Sequence, residues 1–175
     1  MEKNLYSEEA LAKLKELVES VGICMYCSME QGSDMASRPM GTAKIEDDGT
    51  IWFFTTDHSG AAENAGHADE VCLNYAHITK NTYLCVMGSP QLSFDKAKMK
   101  ELWSPMLKTW FPDGLDTPDI ALVKVTPRSA QYWDSDASRL RLLFSFIKAQ
   151  VTGQRPNGSE GEQGELNIAG ATTEK

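Results

Sequence analysis

Ser37-Arg38-Pro39-Met40, then Asp48-Gly49, then Ile51-Trp52-Phe53-Phe54-Thr55-Thr56: this stretch carries the reading of the fold. The last block is apolar, aromatic and β-branched, the composition of a strand, and Asp-Gly before it is a strong hairpin turn. A run from Met35 to Ile45 therefore reads as a strand that turns at Asp48-Gly49 and returns as Ile51–Thr56. Pro39 has no N–H to give a ladder, so its strand belongs at a sheet edge or a bulge.

Working outward, an amphipathic helix precedes the hairpin. Ser7 can cap it, Glu8 and Glu9 suit its positive end, and Leu11, Leu14, Leu17, Val18 and Val21 form one stripe before Gly22 stops it. Ile23–Met29 reads as a strand, followed by a polar loop over residues 30–34. After the hairpin, the alanine-rich residues 59–68 suit a short helix. Val71–His77 and residues 82–87 read as a second hairpin across Thr79-Lys80-Asn81. Asp95 can cap a further helix, with a stripe at Met99, Leu102, Trp103, Met106, Leu107 and Trp110 that Pro105 must kink or restart. Phe111-Pro112-Asp113-Gly114 ends it. Residues 120–125 and 130–134 read as two closing strands. A last helix carries Leu140, Leu143, Phe144, Ile147 and Val151, with Gly153 as its stop.

Six or seven short strands joined by tight turns predict a mainly β, antiparallel barrel with attached helices. A doubly wound dinucleotide fold is disfavoured, because regular βαβ alternation and Gly-x-Gly-x-x-Gly are both absent. The barrel domain is expected over residues 1–153. Residues 154–175, acidic through Glu160, Glu162, Glu165 and Glu174, are expected to be a disordered tail.

The chain has 175 residues and a formal net charge of −8, which suits one domain and argues against tracking a nucleic-acid backbone. No apolar run approaches the ~20 residues of a spanning helix, and Met1-Glu2-Lys3-Asn4 does not resemble a signal peptide; a soluble, cytoplasmic protein is expected. Cys24 and Cys27 form Cys-x-x-Cys, yet on a strand their thiols point to opposite faces, so they read as core cysteines. Cys72 and Cys85 are single, and His58, His67 and His77 lack ligand spacing, so no metal site is expected.

No catalytic motif is present. Arg38 can pair with a phosphate, Thr55, Thr56 and Ser59 can add donors, and a helix opening at Ser59 offers free N–H groups to an anion. The aromatic residues could wall a flat ring. On these residues alone the simpler reading is favoured, with Trp52, Phe53 and Phe54 as core and Arg38 a surface residue.

From Ser37 onward the chain resembles the flavin-binding split barrels related to pyridoxamine phosphate oxidase, in their general-stress-protein branch. The matching pieces are Arg38-Pro39-Met40, the Ile51–Thr56 strand, Ser59, Val71-x-Leu73-x-Tyr75 and the strand from Tyr83 to Gly88. They continue through Asp95-x-x-Lys98, Leu102-Trp103, Trp110-Phe111-Pro112-x-Gly114 and Ala130-Gln131-Tyr132-Trp133-Asp134. The resemblance implies an antiparallel, Greek-key split barrel, a homodimer with flavin mononucleotide (FMN) at the subunit interface, and redox chemistry on a small molecule. It implies that Arg38 binds the phosphate with Ser59 at that end. Arg38, Pro39 and Met40 would line the flavin from one strand and Phe54, Thr55 and Thr56 from the next, with Tyr83 and Trp133 as further contacts.

Two departures stand out. The family usually has a lysine two residues after the serine, where this chain has Ser59-Gly60-Ala61. A lost charged contact costs about 1.5–3 kcal/mol, so weakened FMN binding is expected unless Lys44 or a partner-chain residue compensates. The oxidases carry Arg-Leu-His-Asp-Arg after their tryptophan, and Arg139-Leu140-Arg141-Leu142-Leu143 does not supply it, which disfavours pyridoxamine phosphate oxidation. The leading expectation is an FMN-dependent oxidoreductase of the general stress type. The alternatives are a non-catalytic module for another flat anionic ligand, a tetrapyrrole or a deazaflavin, and an unliganded stress-response dimer.

Overall fold

The computed structural model describes residues 5–29, 34–67, 70–134 and 162–168. The elements run β1 (Leu5–Tyr6), α1 (Ser7–Val21), β2 (Ile23–Met29), β3 (Met35–Ile45), β4 (Ile51–Thr56), α2 (Gly60–His67), β5 (Val71–His77), β6 (Thr82–Ser93), α3 (Lys96–Leu102), β7 (Ile120–Asp134) and β8 (Glu162–Asn167). Short 3-10 helices at Pro105–Thr109 and Gly114–Asp116 bridge α3 to β7.

Six strands close a barrel. The order β7-β4-β3-β2-β5-β6 is antiparallel throughout, and pairing of β6 with β7 shuts the ring. The alternating pattern of each strand sends one face inward. Tyr26, Phe53, Leu73, Val86, Val123 and Tyr132 fill the interior, and α1 lays Leu14, Leu17 and Val18 into the same core. A second, smaller core forms where Met99 and Leu102 of α3 and Phe111 pack on Phe54, Ile120 and Leu122. There Phe54 meets Trp103 edge-on at 5.7 Å and Phe111 at 6.2 Å. Leu102, Trp103 and Phe111 thus build a wall behind β4.

Five expectations are corrected. Residues 120–134 are one strand rather than two. Its first half pairs with β4 and its second with β8, while β6 runs alongside nearly its full length. The register slips between Met87 and Gly88, where Gly88 stands opposite Pro127. A Cβ at Gly88 would lie 2.6 Å from the Thr126 carbonyl oxygen, so this bulge needs glycine and lets the strand pass its proline. The same pairing carries β6 past Met87 to Ser93. The stripe after Asp95 stops being helical at Leu102: Pro105 opens a 3-10 helix, leaving Met106 and Trp110 exposed.

The acidic tail is also ordered in part. Glu162–Asn167 pairs with β7 and with β1, and Leu166 and Ile168 are buried in the main core. Two apolar residues suffice because the ladder on β7 satisfies the backbone they bring with them. The expected helix over residues 140–151 and the Gly153 stop lie outside the described residues. Finally, the two thiols of Cys24-x-x-Cys27 do diverge, but only Cys24 is core; Cys27 is half-buried on the outer face.

Candidate functional site

β3 and β4 are partners only at Ile45–Ile51, Lys44–Trp52 and Thr42–Phe53, with a bulge between Thr42 and Lys44. Beyond Thr42 the strands part. Arg38, Pro39 and Met40 then pair with β2 alone, while residues 54–56 pair with β7. Pro39 is tolerated because its strand is an edge at that point, as its sequence position required.

The start of α2 sits at this split. Ser59 caps the helix: its Oγ accepts the Ala62 N–H at 3.1 Å, and its N–H donates to the Thr56 carbonyl at 3.1 Å. Its hydroxyl also lies 2.5 Å from Thr55 Oγ1. The turn is pinned from the other side by the Asp57 N–H donating to the Asp119 carbonyl at 2.8 Å. Arg38 reaches across from β3 and lays its guanidinium against Gly60. A Cβ on residue 60 would lie 2.8 Å from Arg38 Nη2 and 2.9 Å from Cζ, so only glycine leaves the guanidinium that place. A cation, two hydroxyls and the first turn of an eight-residue helix therefore converge, with the helix dipole adding positive potential.

Beneath them lies Tyr26, which stands opposite Arg38 in the β2–β3 register. It is fully buried, edge-on to Phe53 at 6.0 Å, and its hydroxyl has no partner among the described residues. Burial drives its phenol well above the ordinary range, and the Arg38 charge offsets part of that rise.

The expected residues divide into three groups. Arg38, Thr55 and Ser59 converge on the α2 end, and Thr56 and Met40 flank them, half-buried. Pro39 faces outward from β3, and the ring of Phe54 is committed to the second core, so only its backbone borders the split. Tyr83 and Trp133 are elsewhere: they stand opposite each other on β6 and β7, each 43% exposed on the outer face. Trp133 is eight residues along β7 from the last β4 pairing, so it does not reach the split of its own chain.

The lysine question is answered in part by geometry. Ala61 is 1% exposed and belongs to the main core. Lys44 lies six residues along β3 from Arg38, about 20 Å of extended strand, and its ammonium is bound to Glu101 at 3.0 Å. It does not compensate. Sequence reasoning missed Gly60 and Tyr26 as site residues. Gly60 carries no chemical signal of its own beside Ala61, where the expected lysine is missing, and Tyr26 becomes visible only once its register against Arg38 is known.

A closed six-strand antiparallel barrel, opened between two neighbouring strands onto a capped helix end, defines a split-barrel protein. The family described as pyridoxamine 5′-phosphate oxidase like matches residues 9–157, and the chain belongs to it. Among solved structures, a candidate general stress protein 26 from Jannaschia sp. CCS1 is 26% identical at a TM-score of 0.71, over 91% of this chain and 98% of that one. A general stress FMN/FAD binding protein from Xanthomonas citri is also 26% identical, at a TM-score of 0.63, over 73% and 90% of the two chains. Protein bli-3 of Neurospora crassa is 22% identical over 129 residues, 69% of this chain, and the match spans 62% of that protein's length. The resemblance to the general stress branch and to the split-barrel fold is thereby borne out. Among the described residues, no helix is long and apolar enough to cross a membrane.

Proposed function

We propose that this chain binds FMN, with the phosphate at the α2 end of the split, and serves as a flavin-dependent oxidoreductase. The observation that carries the reading is the Arg38 guanidinium packed over Gly60, beside the Ser59 and Thr55 hydroxyls and the first turn of α2. The residues present fit a phosphate. A dianion there meets a cation, hydroxyl donors and helix N–H groups, and the orphan hydroxyl of Tyr26 gains an acceptor, directly or through a water. The Xanthomonas citri relative, described as binding FMN/FAD, supports a flavin over other phosphorylated ligands.

FMN, when bound, supplies the hydride or electron transfer. The chain's own part is positional. Arg38 and Ser59 anchor the phosphate, the β3 segment and the backbone of residues 54–56 border the split, and the Phe54–Trp103–Phe111 cluster keeps β4 rigid from behind. Tyr83 and Trp133 enter this account as contacts from a second copy. They lie too far around the barrel to serve their own split, and they belong to an outer face that also exposes Ile23, Met25 and Met29. A homodimer that buries this face would bring them to the partner's site.

The experiment is a titration of FMN with the purified chain, read by quenching of flavin fluorescence, alongside sedimentation at several protein concentrations. The expected outcome is saturable binding, one FMN per chain, by a dimer. A chain that leaves FMN unquenched at high micromolar concentration, yet is stabilised in thermal shift by another flat anionic ligand, would overturn the flavin reading in favour of a non-catalytic binding module.

A further inference from the structure

Away from the split, the outer face of β2, β5 and β6 gathers sulfur. Cys27, Cys72, Cys85 and Met87 are all half-buried there, with Met25 and Met29 more exposed beside them. The Cys72 and Cys85 sulfurs are 3.4 Å apart. Asn74 ties in the third thiol: its side-chain N–H₂ lies 3.3 Å from Cys72 Sγ and 3.5 Å from Cys27 Sγ. In register, Cys72 stands opposite both Cys27 on β2 and Met87 on β6. A cavity of about 430 Å³ opens on Cys85 and Met87, with Ser129, Gln131 and Glu165 as polar walls.

We propose that Cys72 and Cys85, with Met87 as a third sulfur, form a binding site for a soft monovalent cation, Cu(I). The first argument is register. Asn74, not Cys72, is the direct partner of Cys85, so the two cysteines are diagonal neighbours. Diagonal positions lie about 7–8 Å apart, beyond the ~4.4–6.8 Å between Cα atoms that a disulfide requires. A bridging ion has no such difficulty. Two metal–thiolate bonds of about 2.3 Å span roughly 4.0 Å at the ~120° angle of a three-coordinate site, a small side-chain adjustment from the 3.4 Å already present.

The second argument is ligand type. Among the described residues the neighbourhood offers thiols and thioethers and no imidazole, a donor set that selects Cu(I) over Zn(II), which favours four N/S ligands. Binding replaces two S–H bonds with two S–Cu bonds and releases two protons to solvent; no oxidation state changes. The site does not depend on the flavin reading, because it uses none of the residues at the α2 end.

The test is a titration of the reduced, full-length chain with Cu(I) under anaerobic conditions against a chromogenic Cu(I) chelator. Copper is counted per chain, so the result stands whether or not a second copy covers this face. The expected result is one Cu(I) retained per chain, with at least a hundredfold loss of affinity in Cys72→Ser and in Cys85→Ser. Cys24→Ala, which removes a thiol from the interior, should leave affinity unchanged. Thermal unfolding of each variant separates loss of the site from loss of the fold, and Met87→Leu provides a milder change. Surrender of Cu(I) to the chelator by the unmodified chain would overturn the proposal. So would wild-type affinity in folded Cys72→Ser and Cys85→Ser, or a Cys72–Cys85 disulfide found by mass after mild oxidation.

Discussion

Gly60 carries most of the difference between what this chain lacks and what it retains. The charge missing beside the expected phosphate is that of the lysine replaced by Ala61, yet the space left by the neighbouring Gly60 is filled by the Arg38 guanidinium. Gly60→Ala should therefore separate binding from stability. The new methyl meets the mobile end of an arginine and not backbone, and alanine is at least as good a helix former, so thermal unfolding should move little. Displacing the guanidinium should weaken FMN binding about tenfold, or roughly 1.4 kcal/mol, as read by flavin titration. A Gly60→Ala protein that binds FMN as well as the wild type would show that Arg38's place over the helix is incidental.

Tyr26 yields the opposite kind of test. Its hydroxyl is buried without a partner among the described residues, and an unsatisfied buried group costs on the order of 1–3 kcal/mol. Tyr26→Phe should stabilise the ligand-free protein by about 1 kcal/mol in denaturant unfolding. With saturating FMN the gain should shrink, because the wild-type hydroxyl then has an acceptor.

At the scale of elements, α3 shows how a sequence motif can be structural. Asp95 accepts the N–H groups of Ala97 and Lys98 at 2.9 and 3.0 Å, and Lys98 reaches Glu46 at 2.6 Å while lying over the Trp52 ring. The Asp95-x-x-Lys98 pattern fastens α3 to the outside of β4. Asp95→Ala should cost about 1 kcal/mol of stability. β8 is the sharper case. Leu166 is 1% exposed in the main core, so Leu166→Ala should destabilise by about 2–5 kcal/mol in chemical denaturation. A change within 0.5 kcal/mol would mean that residues 162–168 add nothing to the fold.

The elements also show what local sequence can and cannot reveal. The hairpin at Asp48-Gly49, the Val71–His77 strand and the α1 stripe were legible, because turn chemistry and periodicity are written in consecutive residues. β7 was split in two at Pro127, since nothing local announces that Gly88, on a different strand, makes room for a bulge there. β8 was missed for a related reason: its polar composition predicts no independent order, and its stability comes from a ladder on a strand nearly 30 residues earlier. At the site, Arg38 and Ser59 could be named from residue type. That Phe54 turns away from the split, and that Tyr83 and Trp133 lie around the barrel, depends on pleat and register.

For the molecule as a whole, the barrel interior holds, among the described residues, three groups that resist ionisation. Burial pushes the Cys24 thiol up to about 12 from an ordinary 9.0 and drives the phenols of Tyr26 and Tyr75 well above an ordinary 10.0. In the unfolded chain these groups lose their protons near the ordinary values. The folded chain thus binds more protons above about pH 9, and stability must fall as pH rises through that range. Thermal unfolding followed from about pH 8 to about pH 11 should show a steadily falling midpoint, and a flat profile would mean these groups are solvated.

The central claim is that the α2 end of the split is a phosphate site built on Arg38. Its most direct test is the ratio of affinities for FMN and riboflavin, which differ only by the phosphate, in the wild type and in Arg38→Ala. The account predicts that the wild type binds FMN at least tenfold more tightly than riboflavin, the yield of a charged contact worth about 1.5–3 kcal/mol. It also predicts that Arg38→Ala brings the ratio towards one. Equal affinity for the two flavins in the wild type, or a preference for FMN that survives Arg38→Ala, would contradict it.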